Sequence, residues 1–276
     1  MRIGRQRNRR FAALCLAVGA VAALALITVA GGLWGERALE TDFSMKNLPP
    51  SFRCPFGTDW MGRDLFVRTV AGLSLSIRIG VLTAAASAAI AFVLGLTASL
   101  GKGADTVVSC LTDLVMGIPH MLLLILVSFA VGKGFWGVVA GISLTHWASL
   151  ARLLRAEALQ LKESQYVKVA RKLGKSPVYV AVKHMTPHLI PQLLVGTVLL
   201  FPHAVLHEAS ITFLGFGLSP EQPAIGIILS EGMKYLVMGK WWLALFPGAL
   251  LALAVILFQA IASAASSMVD PGQAHS

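Results

Sequence analysis

Apolar residues run without a single charge from Phe11 to Leu33, a stretch that as a helix rises about 35 Å, the depth of a bilayer core. Further runs of the same kind cover about 73–100, 106–131, 135–150, 189–213 and 241–266, separated by Gly-, Pro- or charge-bearing segments. The pattern predicts six transmembrane helices. It excludes a membrane β-barrel, whose strands alternate apolar and polar residues in segments of only about 10 residues. The first run also exceeds the apolar core of roughly 7–15 residues that a cleaved signal peptide needs, so it reads as an uncleaved first span, 11–33.

Composition confirms the class. Of 276 residues 56% are hydrophobic and 13% charged, and the mean hydropathy is +0.75. Soluble, disordered, collagen-like and disulfide-stapled secreted chains are thereby excluded. Cys15, Cys54 and Cys110 lack C-x-x-C spacing and imply neither a metal site nor a disulfide framework. A net charge of +10 would suggest a nucleic-acid partner in a soluble protein, but here its distribution decides. Residues 1–10 carry Arg2, Arg5, Arg7, Arg9 and Arg10, and 151–188 carry eight Lys/Arg against two Glu, whereas 34–72 and 214–240 are balanced. By the positive-inside rule 1–10 and 151–188 are cytoplasmic, 34–72 and 214–240 are extracytoplasmic, and the partner is a lipid membrane with no nucleic acid.

Ionisable residues inside spans need a reason. Arg78, near the outer end of the second span, reaches the headgroups by snorkelling. Asp113 precedes Pro119, where a lost backbone hydrogen bond predicts a kink, and reads as a structural contact between helices. The second span supplies Ala84, Ala85, Ala86, Ser87, Ala88 and Ala89 in sequence, suited to close helix contacts that can rock or simply pack. In the fifth span His203 and His207 share one helix face at i,i+4, a spacing that can hold a metal; they fit equally a pair of hydrogen-bonded histidines that bind nothing. Glu208 follows the second histidine, so the H-E-x-x-H of a zinc protease is absent.

The segment 151–188 is too long and too rich in helix formers to be a mere connector. Glu157 to Leu173 predicts a helix, Gly174 its stop, Pro177 the first turn of a second short helix, and Pro187 a break before the fifth span. An amphipathic hairpin lying on anionic lipid is the simpler alternative. No G-x-x-x-x-G-K-[ST] occurs, so the chain carries no nucleotide site of that kind.

Tyr166 to Pro187, Y-V-K-V-A-R-K-L-G-K-S-P-V-Y-V-A-V-K-H-M-T-P, resembles the cytoplasmic coupling loop of binding-protein-dependent ABC importer permeases. Ala170, Gly174 and Pro187 fall at the family's Ala, Gly and Pro positions, and His184 with Pro187 resembles its peptide/nickel branch. Lys168, Val169 and Thr186 stand where the family has Glu, Ala and Leu. Phe56 to Asp64, F-G-T-D-W-M-G-R-D, is similar to the G-T-D-x-x-G-R-D signature of dipeptide, oligopeptide and nickel permeases, with Gly57, Thr58, Asp59, Gly62, Arg63 and Asp64 on the signature positions. Leu111 to Pro119, Glu208 to Ser219 and Trp241 to Gly248 match in the same order, and Asp270–Pro271 keeps a D-P near the end.

The resemblance implies an all-α type I ABC importer permease fold, with 73–270 as permease core, in a bacterial or archaeal plasma membrane. It implies a second homologous permease subunit, one or two ABC ATPase subunits that bind ATP and Mg, and an extracytoplasmic substrate-binding protein. No cofactor is expected in this chain and no enzymatic activity of its own. Tyr166, Lys168, Ala170, Arg171, Gly174, His184 and Pro187 would couple to the ATPase, while Asp113 and Glu208 are pathway or intramembrane polar candidates and His203 and His207 a transit contact for metal. Peptides and nickel or chelated metal ions remain alternatives for the cargo. The competing class is a stand-alone channel or secondary carrier, although no internal repeat relates the two halves.

Overall fold

The computed structural model describes the backbone of residues 2–269 and the side chains of residues 14–267; the N-terminal arginine side chains and Asp270–Pro271 lie outside the described residues. Among the described residues ten α-helices follow one another: α1 (Arg2–Leu33), α2 (Leu65–Ala98), α3 (Lys102–Gly117), α4 (His120–Val131), α5 (Phe135–Lys162), α6 (Gln165–Lys172), α7 (Pro177–Val180), α8 (Thr186–Phe213), α9 (Ile225–Leu236) and α10 (Trp242–Val269). Among the described residues there is no strand, only an isolated bridge between Thr58 and Asp64. Five helices are long and apolar enough to cross a membrane, and a sixth crossing is available if α3 and α4 count as one bent span.

The third apolar run departs most from expectation. Instead of a kinked helix over 106–131, α3 and α4 meet at 99°. Ile118 is extended at φ −92° and ψ 139°, as the residue before a proline prefers, and Pro119 starts the new helix where its missing N–H costs nothing. A helix of 12 residues is about 18 Å long, so α4 cannot cross a bilayer alone.

Three boundaries also move. The second helix begins at Leu65 rather than 73, because Asp64 caps it by accepting from the backbone N–H of Phe66 and Val67 and because the polar residues of its first turns, Arg68 and Thr69, are buried. Arg78 nevertheless stands level with the last turn of α1: its guanidinium lies against Gly32 and it is exposed. The fourth span runs on to Lys162, so a single helix carries the chain from the bilayer into the basic segment. The helix expected over Glu157 to Leu173 is consequently divided at Glu163–Ser164.

Pro187 makes no break. A π turn over Ala181–Met185 joins α7 to α8, and Pro187 sits in the first turn of α8, so Pro177–Phe213 is one apolar helical path. The wider π turn offers the room that a proline ring takes from the preceding turn. Gly174 does stop α6. It has φ +78° and donates to the Arg171 carbonyl while Lys175 donates to Ala170, a Schellman ending that an L-residue adopts only with strain.

The core is built on small residues. Ala84, Ala88 and Ala91 of α2 are buried against Ala148, Ala151 and Leu154 of α5, whereas Ala85 and Ala89 face outward. A Cβ on Gly95 would stand 2.8 Å from the Leu154 Cβ and 3.3 Å from the Arg155 backbone nitrogen. Leu73, Ile77, Val205, Ala209, Leu251 and Phe258 close a second cluster between α2, α8 and α10. The outward faces of α1, α4 and α10 expose large apolar side chains such as Leu16, Leu26, Leu126 and Ile256, as a lipid-facing surface requires.

Gly95→Leu is therefore expected to destabilise the protein by about 1–3 kcal/mol through overpacking, whereas Gly103→Ala, whose Cβ meets nothing within 4 Å, should be neutral or stabilise it by up to about 1 kcal/mol. Thermal unfolding of the detergent-solubilised variants checks the contrast; equal melting temperatures would show that α2 and α5 do not meet this closely.

Candidate functional site

Three regions of the structure carry the polar chemistry. The first is the loop that leads into α2. Thr58, fully buried, accepts from the Leu48 N–H at 2.9 Å and donates to the Met45 carbonyl, while Asp59 accepts from the N–H groups of Met61 and Arg63 at 2.8 and 3.0 Å. Gly62 has φ +77°, and a Cβ there would overlap the Asp42 carbonyl oxygen at 1.7 Å. Gly57 also has positive φ, at +77°. The signature thus folds its own loop and delivers Asp64 as the cap of α2.

Its charges do more than shape the loop. Asp59 Oδ2 accepts from Arg63 Nε at 2.7 Å and Arg68 Nη1 at 2.8 Å, and Arg68 Nη1 also reaches Glu231 Oε2 of α9 at 2.5 Å. Arg63 Nη2 lies 3.5 Å from the same Glu231 oxygen. Two guanidiniums and two carboxylates balance in a site where Arg68 is 1% and Asp59 4% exposed at the side chain. Arg68 and Glu231 have no apparent place in a reading of the signature alone, since Glu231 is 163 positions away from Arg68.

The second region is the basic segment. Ala170, Val167, Val180, Ala181, Met185 and Leu189 form a small core that seats α6 and α7 on the ends of α2 and α5, through Phe92, Leu96 and Leu161. Outward, Leu173 is 75% exposed, and Val169, Val178, Tyr179 and Val182 are exposed beside Lys172, Lys175 and Lys183. Lys168 donates to Glu163 at 2.9 Å, and this hydrogen bond holds the exposed Glu163 carboxyl below the usual range. Tyr166 is exposed with its ring 5.4 Å from His188, the half-buried His184 stands 5.8 Å from Tyr179, Arg171 is half-buried, and Pro187 is exposed. Two ion pairs tie the neighbouring helix: Arg152 to Asp113 at 2.6 Å and Arg155 to Asp105 at 2.6 and 3.0 Å. Asp113 is thus an interhelical contact on an exposed surface.

The third region is a cavity of about 600 Å3 at the α3–α4 bend, walled by Met116, Pro119, His120, His146, His203 and His207 among others. His146 Nε2 lies 3.0 Å from His207 Nδ1, and His120 faces both rings, at centroid distances of 4.6 Å from His146 and 4.7 Å from His207. His203 borders the cavity and its carbonyl takes the His207 N–H at 2.8 Å, but its side chain is not in this group. The sequence pairs His203 with His207 by helix spacing; His120 and His146 join His207 only because three helices converge, which no local pattern encodes. Glu208 points elsewhere. It is fully buried and accepts from Thr212 at 3.0 Å, and Thr212 in turn accepts from the Leu218 N–H that closes the following turn.

A bundle of long apolar helices with a bent third crossing, a helical appendage at one end and a polar cavity inside defines a membrane transport subunit. The fold resembles an inward-facing structure of the MetNI methionine ABC transporter, with TM-score 0.58 over 74% of this chain and 94% of the matched chain, at 19% identity. Residues 87–275 match the family described as Binding-protein-dependent transport system inner membrane component, and this chain belongs to that family. It is 32% identical over 98% of its length, and 90% of the relative's, to a putative peptide transport system permease protein of Brucella suis biovar 1. It is 29% identical over 82% of its length to the dipeptide transport system permease protein DppC of Bacillus subtilis, of which 71% is covered. The protein is an all-α, multi-pass permease subunit of an ABC importer, a transport subunit and not a catalytic one, which disposes of the stand-alone channel or carrier.

Asp59→Ala should cost about 3–5 kcal/mol, because it leaves two buried guanidiniums with Glu231 alone, whereas Glu221→Ala on the exposed surface should fall within about 0.5 kcal/mol of wild type. Thermal unfolding in detergent measures both, and a melting temperature unchanged by Asp59→Ala would remove the network from the stabilising contacts.

Proposed function

We propose that this chain forms, with a second homologous permease subunit, the translocation pathway of an importer for peptides or for nickel or chelated metal ions. One or two separate ATPase subunits bind ATP and Mg and dock on 151–188, and an extracytoplasmic binding protein delivers the cargo at the opposite end. The N-terminus is cytoplasmic, in a bacterial or archaeal plasma membrane. The observation that carries this reading is the surface of α6 and α7: exposed Val169, Leu173, Val178, Tyr179 and Val182, ringed by lysines, on a platform whose own core is closed. Apolar side chains rimmed by charge are what a protein partner buries. Lipid is the poorer occupant, because α6 and α7 project from the end of a helix that has already left the apolar zone. The relatives named as peptide and dipeptide permeases support peptide cargo, and the imidazoles of the cavity support a metal ion or its chelate.

Mechanically, the proposed docking surface is joined to the pathway without a break on the α7 side and through the short turn at Glu163–Ser164 on the α6 side. The π turn and α8 lead from α7 to His203 and His207, and α5 leads from α6 to His146. Force applied to the appendage by ATPase closure therefore reaches two walls of the cavity at once.

The left-handed Gly174 is the testable joint. A Cβ there meets nothing within 4 Å, so any loss comes from backbone strain and not from a clash. Gly174→Val should strain the turn by about 1–3 kcal/mol and depress transport and ATPase coupling with membrane insertion intact, while Gly174→Asn, tolerant of this conformation, should retain most activity. Uptake by wild type and both variants at equal membrane abundance decides; full activity of the valine variant would unseat the coupling role.

Orientation is checked in a background lacking Cys15, Cys54 and Cys110. A cysteine at the exposed Ser51 should react with an impermeant maleimide in intact cells, and one at the exposed Lys175 only after permeabilisation. Reaction of both from one side would contradict the topology.

A further inference from the structure

The three imidazoles at the bend come from three separate helices. His120 opens α4 directly after Pro119, His146 lies in the middle of α5, and His207 lies on α8. Their rings close a triangle with centroid separations of 4.6, 4.7 and 4.8 Å, and one nitrogen from each lies within 4.8 Å of the others.

The simpler account is a set of histidines satisfied by one another, and the protons decide against it. His146 Nδ1 lies 3.1 Å from the Ile142 carbonyl, which can only accept, so Nδ1 carries the proton and Nε2 presents a lone pair. His207 Nδ1 lies 2.8 Å from the His203 carbonyl and takes the same tautomer, leaving its Nε2 as a second lone pair. That one His207 N–H can also serve His146 Nε2, at 3.0 Å. His120 Nε2 is enclosed and has no hydrogen-bond partner among the described residues. Three neutral imidazoles carry three N–H groups and three lone pairs, and with two of the N–H groups held by carbonyls the lone pairs outnumber the protons free to meet them. A carbonyl that fixes Nδ1–H and turns Nε2 outward is the arrangement that supports a metal-bound histidine.

Donor chemistry selects the ion. The cavity wall contributes imidazoles, the hydroxyls of Thr145 and Ser149 and apolar side chains, with no carboxylate and no thiolate. Neutral imidazole suits nickel, copper, zinc and cobalt, whereas calcium and magnesium need oxygen ligands. Metal–nitrogen bonds of about 2.0–2.1 Å in a tetrahedral arrangement place ligand nitrogens about 3.4 Å apart, inside the 4.8 Å within which one nitrogen of each histidine now lies. Small ring rotations suffice. Three protein donors leave a position open to the cavity, unlike the four of a structural zinc site. The positive end of α4, which begins at His120, opposes a cation weakly. Both features favour an ion that enters and leaves.

We propose that His120, His146 and His207 form an exchangeable binding site for a divalent transition-metal ion of the imidazole-preferring class, free or chelated, on its path through the permease. His203 borders the path and is outside the coordinating set. This inference rests on the importer reading above and names its cargo class.

The test uses the complete complex, with its second permease and ATPases, in lipid nanodiscs, and Co2+ as the probe. Wild type should give a saturable visible absorption from nitrogen-coordinated Co2+. Single changes His120→Gln, His146→Gln and His207→Gln should each weaken binding at least about tenfold, and His203→Gln less than about threefold. Absence of a saturable spectrum in wild type, wild-type binding in the three variants, or equal loss in the His203 variant would overturn the site. For any variant that fails to assemble, X-ray absorption of the Ni2+-loaded wild-type complex takes its place: scattering from two or more imidazoles is expected, and a spectrum without them overturns the proposal. ATPase stimulation by the binding protein, measured on the same samples, separates the two readings. A coupled complex that takes up peptide and binds no Co2+ leaves the importer standing and removes the metal site. A chain that binds Co2+ but never couples to an ATPase removes the importer reading instead.

Discussion

The approach of α2 to α5 sets the positions of nearly everything else. Ala84, Ala88, Ala91 and Gly95 let the two helices close without large side chains between them, and the gain is dispersion contact, since lipid offers apolar groups no reason to hide. With that seam fixed, α5 can be long enough to hold His146 at mid-depth and Arg155 near its end. The apolar helix α8 then packs on both through Leu200 and Phe201. A bulkier residue in the seam would shift His146 relative to His207 before it disturbed any polar contact.

Charge is handled in two different ways. At the start of α2 two arginines are buried outright and matched by two carboxylates from distant parts of the chain, which makes the loop, α2 and α9 one unit. The pairs Arg152–Asp113 and Arg155–Asp105 remain in partial contact with solvent. Exposed pairs contribute little stability, about 0–1 kcal/mol, so the link between α3 and α5 can be exchanged more readily than the buried network. The subunit is tied firmly at the start of α2 and more loosely between α3 and α5.

Helical class, the apolar runs and the presence of short helices in the basic segment were legible because each rests on local pattern. Gly174 and Pro177 mark turns through backbone chemistry that a single residue determines, and both turns form. Where the sequence misled, a distant partner had changed the meaning of a local signal. Arg68 reads as the polarity of a loop until Asp59 and Glu231 bury it and α2 starts eight positions early. Pro187 reads as a stop until the π turn makes room for it. Pro119 announces a kink but not an angle of 99°, which depends on what fills the space beside it. The histidine group shows the same limit: His207 was visible by spacing, and His120 and His146 were single polar residues in apolar runs.

The uninterrupted path from Pro177 to Phe213 has a mechanical consequence. Its 37 residues amount to a lever of about 55 Å, and His207 stands about 45 Å from the end where α7 begins. A tilt of about 5° about that end would carry His207 sideways by roughly 4 Å, as far as the rings of the triangle now stand apart. Had the chain broken at Pro187, the same tilt would have been absorbed in the joint. With no break, a small angular motion at one end of the path is large enough to open or close the ring of imidazoles.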